Sequence, residues 1–192
     1  RTSIGRSNMR SEEITVAEVF QKNGYRTGSF GKWHLGDVWP FRSIDQGFEE
    51  AVNLNCGGIG QISDYWGNDY FDDVYYHNGK PQQYKGYCTD VFFDETIRFI
   101  KECKLAQEPF LIYLAPNVAH LPRIVEEKYS KPFLENGHDK NQAIFYGMIK
   151  NLDENFGRLT KTLKELDLED DTIIIFTTDD GTAAYAAQFD KD

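Results

Sequence analysis

The chain has little cysteine, no long apolar run and no excess of basic residues. Its three cysteines, Cys56, Cys88 and Cys103, are too few for a disulfide scaffold and lack the spacing of a metal site. We expect buried or partly buried free thiols, with one bridge and one spare thiol as the alternative. No apolar stretch approaches the roughly 18 residues of a membrane span. The net charge of −10 argues against a nucleic-acid partner, because such binding needs clustered Lys and Arg.

What is present is the composition of a globular domain. The 192 residues are 40% hydrophobic, 27% charged and 15% aromatic, and the sequence pI is about 4.9. The opening stretch, "RTSIGRSNMR", is polar and basic, does not begin with Met and has no targeting segment. We therefore expect the chain to be a piece of a longer protein.

Helical and strand patterns alternate along the sequence. A capping box at Thr15 and Glu18 begins the first helix. The further predicted elements are a strand in "YRTGSF" (25–30), a helix over Asp90–Cys103, a strand over Pro109–Ala115, a helix over 145–166 and a strand over Thr172–Thr177. Continuous apolar strands between helices predict the α/β class, with a mostly parallel sheet flanked by helices on both faces.

Residues 37–86 form a long aromatic-rich insertion without strong periodicity. "DVYYHNGK" within it predicts a hairpin that turns at Asn78-Gly79. Residues 53–78 offer aromatic and polar side chains that could shape a substrate pocket. The candidates for stacking on sugar faces are Trp66, Tyr65 and Tyr70, and those for binding hydroxyls are Asp64 and Asn68. The alternative is that these aromatic side chains pack the insertion itself.

Polar side chains follow three predicted strands. Lys32 and His34 lie in "GSFGKWHLGD", His120 follows "PFLIYLA", and Asp179-Asp180 follows "TIIIFTT". Ligands of such sheets bind beyond the carboxyl ends of the strands. If these strands are neighbours, a lysine, two histidines and two carboxylates converge at one edge.

Each cluster alone has an ordinary explanation: a surface lysine, a structural histidine, or a solvated turn with capping carboxylates. Together they fit a site for a multiply oxygenated anion. Paired aspartates suit a hard divalent cation, a lysine suits an oxyanion, and histidines exchange protons near neutral pH. The chemistry indicated is metal-assisted transfer or hydrolysis at phosphate or sulfate.

Four segments together resemble the formylglycine-dependent sulfatases of the alkaline-phosphatase superfamily. They are "GYRTGSFGKWHLG", "HNGKPQQYKGYCTDVFFDETIRFI", "PFLIYLAPNVAHLP" and "LDENFGRLTKTLKELDLEDDTIIIFTTDDG". They run in family order from about Ser11 to Ala184, and GKWHLG is among the family's more specific signatures. The resemblance implies an alkaline-phosphatase-like sulfatase fold that is incomplete at both ends.

The resemblance also implies roles for individual residues. Lys32 would bind a sulfate oxygen, and His34 would hydrogen-bond the hydrated aldehyde and help to expel sulfate from the covalent intermediate. His120 would contact sulfate and protonate the leaving alcohol. Asp179 and Asp180 would coordinate one calcium ion.

The sequence departs from the family pattern in two respects. Asp180 replaces the usual asparagine, and the nucleophile motif C/S-x-P/A-x-R is absent, since no cysteine begins it. The first strand with its paired aspartates and a later lysine are also absent. We therefore interpret residues 1–192 as a partial sulfatase catalytic domain, a central fragment that is inactive alone.

Two alternatives remain beside a hydrolase of sulfated carbohydrates or aryl sulfates. One is a phosphoester or phosphonate hydrolase of the same superfamily, and the other is a non-catalytic homologue that binds sulfated sugars. The resemblance implies an extracytoplasmic parent protein: periplasmic, secreted or lysosomal. A sheet edge left open by the missing strand would favour a homo-oligomer.

Overall fold

The computed structural model of the protein describes residues 8–10 and 12–178. These residues belong to two units, Arg1–His120 and Leu121–Asp192. The elements of the first unit are α1 (Val16–Lys22), β1 (Arg26–Lys32), a 3₁₀ turn (Ser43–Asp45), β2 (Glu50–Leu54), β3 (Val74–His77), β4 (Lys80–Gln83), α2 (Cys88–Ala106) and β5 (Phe110–Ala115). Those of the second are α3 (Glu127–Glu135) and α4 (Lys140–Glu165).

The first unit contains a five-stranded sheet in the order β4-β3-β2-β1-β5. β1 pairs in parallel with β2 on one side and with β5 on the other. The β2–β3 and β3–β4 pairs are antiparallel. The β3–β4 hairpin of the insertion therefore adds two antiparallel strands to the parallel core. The predicted α/β class is confirmed, in the form of a mixed sheet.

The predicted capping box begins α1. The Thr15 hydroxyl accepts a hydrogen bond from the Glu18 backbone amide at 3.1 Å, and the Glu18 carboxylate accepts one from the Thr15 amide at 2.8 Å. The Thr15 hydroxyl donates to the Gln46 carbonyl at 2.7 Å as well. The Thr15 side chain therefore satisfies a free backbone amide at the start of the helix and connects the helix to the segment that leads into β2.

α2 packs its apolar face against β1 and β5. The fully buried Phe99 ring contacts the fully buried Phe30 ring of β1 edge to face, with centroids 5.6 Å apart. Phe92, two helical turns earlier, lies 4.7 Å from Tyr75 of β3 by ring centroid. A single helix thus covers both the parallel and the antiparallel strands.

The insertion is more regular than its sequence indicated. The predicted hairpin is confirmed: β3 and β4 are joined by Asn78 and Gly79, both at positive φ. β2 was missed, because its first residue is Glu50 and its fourth is the polar Asn53. Both are buried and paired: Asn53 donates to the Gly31 carbonyl at 3.0 Å, and Glu50 lies 3.3 Å from the Arg26 guanidinium.

The second unit is built on the pairing of α3 with α4. The long helix predicted over 145–166 is confirmed by α4, where Met148, Leu159 and Leu163 are buried and Ile149 is 41% exposed. The predicted strand over Thr172–Thr177 is wrong, since residues 172–178 form no regular element. The side chains of Ile173 and Ile175 are 89% and 83% exposed, and a parallel strand needs a paired neighbour on which to bury them.

The cysteine prediction is confirmed for all three positions. Cys88 and Cys103 are buried free thiols, and Cys56 is a half-buried one. Burial raises the pKa of the Cys103 thiol to about 11. Among the helices of the described ranges, none combines the length and the apolar composition that a membrane crossing requires.

Candidate anion site at the carboxyl ends of β1 and β5

Two of the three predicted polar clusters meet because β1 and β5 are parallel neighbours. Gly31 pairs with Ala115 at the end of the ladder, so Lys32 and His34 emerge beside the loop that leads to His120. A Cβ on Gly31 would lie 2.2 Å from the Ala115 carbonyl oxygen, and φ is +102°. Glycine is therefore required where the two backbones converge.

His34 and His120 lie over two consecutive glycines. A Cβ on Gly57 would lie 2.7 Å from Cε1 and 2.8 Å from Nε2 of His34. A Cβ on Gly58 would lie 3.0 Å from Nδ1 of His120. The bare Gly57-Gly58 backbone therefore brings both imidazoles against one face of the same loop.

Burial and a neighbouring cation favour the neutral form of the His34 imidazole. Desolvation lowers the pKa of its imidazole most, the positive charge of Lys32 lowers it further, and His120 adds a smaller effect in the same direction. Asp37 alone opposes them by raising the pKa. A neutral imidazole beside a lysine is equipped to accept a proton from a group that approaches an anion site.

The backbone of His120 is held at both ends of the residue. Its amide donates to the Asn117 carbonyl at 2.9 Å, and its carbonyl accepts from the Tyr70 hydroxyl at 3.2 Å. Tyr70 is fully buried, and burial raises the pKa of its phenol. The prediction that Tyr70 stacks on a sugar is therefore wrong: its ring packs inside the unit, 6.5 Å from Tyr87.

Asp37 holds the loop that carries the glycine pair. Its carboxylate accepts from the Cys56 backbone amide at 3.0 Å and from the Ser63 hydroxyl at 2.7 Å. The Cys56 thiol donates to the side-chain oxygen Oε1 of Gln61 at 3.4 Å. The backbone amide of Gln61 donates to the Gly58 carbonyl at 3.2 Å. The loop is thus fixed by bonds from both of its ends.

Trp33 anchors the segment between Lys32 and His34. Its indole N–H donates to the Phe41 carbonyl at 2.8 Å, and its ring meets Phe48 edge to face at 5.7 Å. The backbone of His34, the next residue, has φ +58°. This left-handed conformation costs conformational energy for residues other than glycine. The anchored indole stabilises that turn, which directs His34 and Lys32 to the same edge.

The insertion presents its aromatic side chains in different ways. Trp66 is 96% exposed and so does not pack the insertion, whereas Tyr65 is 40% exposed and contacts Tyr76. Asp64 accepts from the Gly60 amide and the Asn68 side chain, and Asn68 also bonds both backbone groups of Val74. Asp64 and Asn68 therefore build the loop, so the prediction that they bind hydroxyls has no support in their contacts.

The predicted metal ligands, Asp179 and Asp180, lie outside the described residues. Within 8–10 and 12–178, no group of three or more His, Cys, Asp or Glu side chains could hold a metal ion. The described cluster of Lys32, His34 and His120 does not fit a cation, because Lys32 contributes a positive charge. It fits an anion.

A family model described as Sulfatase matches residues 2–191. The chain belongs to the sulfatase family. The predicted family resemblance is confirmed over nearly the whole of its length, in agreement with the lysine and histidines that meet at the sheet edge.

Curated sulfatases share moderate identity with this chain. It is 30% identical to the uncharacterized sulfatase YdeN of Escherichia coli K12, over 88% of the chain and 33% of that protein. It is 29% identical to the N-acetylgalactosamine-6-sulfatase of Canis lupus familiaris, over 92% of the chain and 34% of that protein. The chain therefore spans about a third of the length of these curated relatives.

Solved structures agree with the fold. Ps i-CgsB in complex with k-i-k-neocarrahexaose matches with a TM-score of 0.76 and 24% identity, over 84% of this chain and 38% of that one. BT4656 in complex with D-glucosamine-2-N,6-O-disulfate matches with a TM-score of 0.68 and 16% identity, over 85% and 49%. At these identities the likeness establishes the shared sulfatase fold.

Sequence reasoning missed the residues that shape this site from the insertion. Gly57, Gly58 and Gln61 carry no charge and belong to no motif used in the prediction. The available signal was "GGIGQ", a stretch with three glycines in five residues. Such a stretch is typical of a backbone that other groups approach closely.

Proposed function

We propose that this chain is part of the catalytic domain of a sulfuric ester hydrolase that acts on a sulfated carbohydrate. The observation that carries the proposal is the meeting of Lys32, His34 and His120 at one sheet edge in a chain of the sulfatase family. Several relatives and neighbours act on or bind sulfated sugars by name, among them the ulvan-active sulfatase of Formosa agariphila. Aryl sulfates are the simplest surrogate substrates.

Each residue of the cluster has a role in the proposal. The ammonium group of Lys32 binds a sulfate oxygen and stabilises the charge that develops there. His34, kept neutral by burial and Lys32, hydrogen-bonds the nucleophile and takes its proton. His120 contacts the sulfate and protonates the oxygen of the leaving alcohol, and the Tyr70 and Asn117 bonds to its backbone limit its movement.

The proposal includes groups that the described residues do not supply. By family resemblance the nucleophile is a formylglycine, and Asp179 and Asp180 coordinate a calcium ion. When bound, such a cation would stabilise negative charge on the substrate. An extracytoplasmic location belongs to the same proposal.

The test is turnover by the longer natural protein that contains this segment. We expect hydrolysis of 4-nitrophenyl sulfate and of sulfated oligosaccharides, with little activity toward 4-nitrophenyl phosphate or phosphonate. Lys32→Ala and His120→Ala should each reduce kcat/KM by at least about a hundredfold, because each removes a stabilising or proton-donating group. Lys80→Ala, on the exposed strand β4, is the matched control and should leave activity unchanged.

Two results would overturn the proposal. A preference for phosphoesters or phosphonates over sulfates would make the protein a phosphohydrolase of the same superfamily. Tight binding of sulfated sugar without turnover, in a protein with an intact fold, would make it a binding protein.

A further inference from the structure

We infer that Gln61 is an anion-binding residue whose side-chain amide donates a hydrogen bond to a substrate sulfate oxygen between His34 and His120. The inference rests on the proposed function, because it adds a donor to the same site. Gln61 belongs to the insertion and not to GKWHLG or to the His120 loop. The site is therefore formed by residues from three segments of the chain.

The glycine pair places the Gln61 side chain beside both histidines. Oε1 of Gln61 and Nε2 of His34 lie within 3.1 Å of one point, the position of a Cβ on Gly57. Nε2 of Gln61 and Nδ1 of His120 lie within 3.3 Å of another, the position of a Cβ on Gly58. The amide therefore extends across both glycines, on the face that the two imidazoles occupy.

The Cys56 thiol determines which end of the amide is the donor. It donates to Oε1 of Gln61 at 3.4 Å, so the carbonyl end is directed toward Cys56 and His34. The NH₂ end is then directed over Gly58 toward His120. A neutral NH₂ group suits an anion there, because it adds a hydrogen bond without competing with Lys32 for the negative charge.

The position of Gln61 is fixed before any ligand binds. Its backbone amide donates to the Gly58 carbonyl at 3.2 Å, and its backbone carbonyl accepts from the Asp64 backbone amide at 2.8 Å. Asp37 holds Cys56 and Ser63 on either side of it. A donor that is already oriented loses little conformational entropy on binding, so its hydrogen bond contributes fully to affinity.

The test is calorimetric titration of the longer natural protein that contains this segment with inorganic sulfate, with Cys56 kept reduced. Gln61→Leu keeps the size of the side chain and removes the donor. We expect it to weaken sulfate binding about tenfold, the usual effect of a hydrogen bond to a charged group. Gln61→Glu places a negative charge at the same point and should weaken binding further. Gln82→Leu, on the exposed strand β4, is the matched control and should bind like the wild type.

Lys32→Ala separates the possible failures. If Lys32→Ala loses sulfate while Gln61→Leu and Gln61→Glu bind as the wild type does, the role of Gln61 is refuted and the anion site stands. If the wild-type protein itself binds no sulfate, the anion site and the role of Gln61 both fail. Circular dichroism of each variant distinguishes lost binding from lost folding, and Gln61→Glu provides a second test if Gln61→Leu does not fold.

Discussion

The charge of Lys32 acts directly on the protonation of His34. Desolvation and the lysine lower the pKa of the imidazole, and Asp37 raises it. Lys32→Met keeps much of the side-chain length and removes the repulsion between the ammonium and a protonated imidazole. We expect the pKa of His34 to rise in this variant, measured by NMR titration of the histidine side chains.

The control for this titration is Lys80→Met, since Lys80 lies on the exposed strand β4. It should leave the pKa of His34 unchanged. A pKa of His34 that is equal in Lys32→Met and in the wild type would show that the two side chains are electrostatically independent. That outcome would leave desolvation as the main cause of the lowered pKa of His34 and would refute the electrostatic effect of Lys32 on it.

Trp66 offers an indole face to solvent, with 96% of the residue exposed. If it stacks on the sugar of a substrate, Trp66→Ala should weaken the binding of a sulfated oligosaccharide by about tenfold and leave the binding of inorganic sulfate unchanged. Calorimetry with both ligands measures the difference. Trp39→Ala is the control, because Trp39 is also exposed, at 75%. Equal losses for the two variants, or none for Trp66→Ala, would contradict the stacking role.

At the site, chemistry-bearing residues could be predicted and shaping residues could not. Lys32, His34 and His120 were predicted together because each follows the end of a predicted strand, where ligands of such sheets bind. Gly57 and Gly58 act by lacking a side chain, and their importance depends on rings that reach them from distant segments. The need for glycine at these two positions can be recognised only when their three-dimensional neighbours are known.

At the scale of elements, the start of α1 allows a stability test. Thr15 caps the helix and also bonds the Gln46 carbonyl. Thr15→Ala should reduce the free energy of unfolding by about 1 kcal/mol, the usual value for a lost N-cap, measured by urea denaturation. Thr160→Ala, at a partly exposed position of α4, should stay within about 0.5 kcal/mol of the wild type. A cost for Thr15→Ala no larger than this would mean that the cap is dispensable.

Elements with local signals were predicted well, and those that depend on pairing were not. Residues close together in sequence determine the cap of α1, the helical spacing of the apolar side chains of α4 and the Asn78-Gly79 turn. β2 is stabilised instead by contacts from β1 and from the Arg26 guanidinium, which satisfy its buried Asn53 and Glu50. The opposite error at residues 172–177 has the same origin, since an apolar run becomes a strand only beside a partner strand.

At the scale of the whole molecule, an exposed apolar segment predicts self-association. Ile173, Ile175 and Phe176 are 89%, 83% and 64% exposed in the described part of the chain. Contiguous exposed apolar side chains of high β-propensity promote pairing between molecules. We therefore expect the 192-residue chain to associate as its concentration rises, in sedimentation velocity experiments. Ile175→Lys should shift the distribution toward the monomer.

The control for association is Leu105→Lys. Leu105 is 87% exposed at the end of α2, and no other large exposed apolar side chain lies next to it in sequence. This variant should associate as the wild type does. A wild-type chain that sediments as a monomer at all concentrations would refute the homo-oligomer prediction for this segment.

All three tryptophans occur in the first unit, at positions 33, 39 and 66. The indole of Trp33 is hydrogen-bonded to the Phe41 carbonyl, whereas Trp39 and Trp66 face solvent. Aqueous iodide should therefore quench the emission of Trp39 and Trp66 and spare that of Trp33. The remaining fluorescence follows the unfolding of the sheet and its GKWHLG turn. The helical unit has no tryptophan, so its unfolding gives no tryptophan emission of its own and is followed by far-UV circular dichroism.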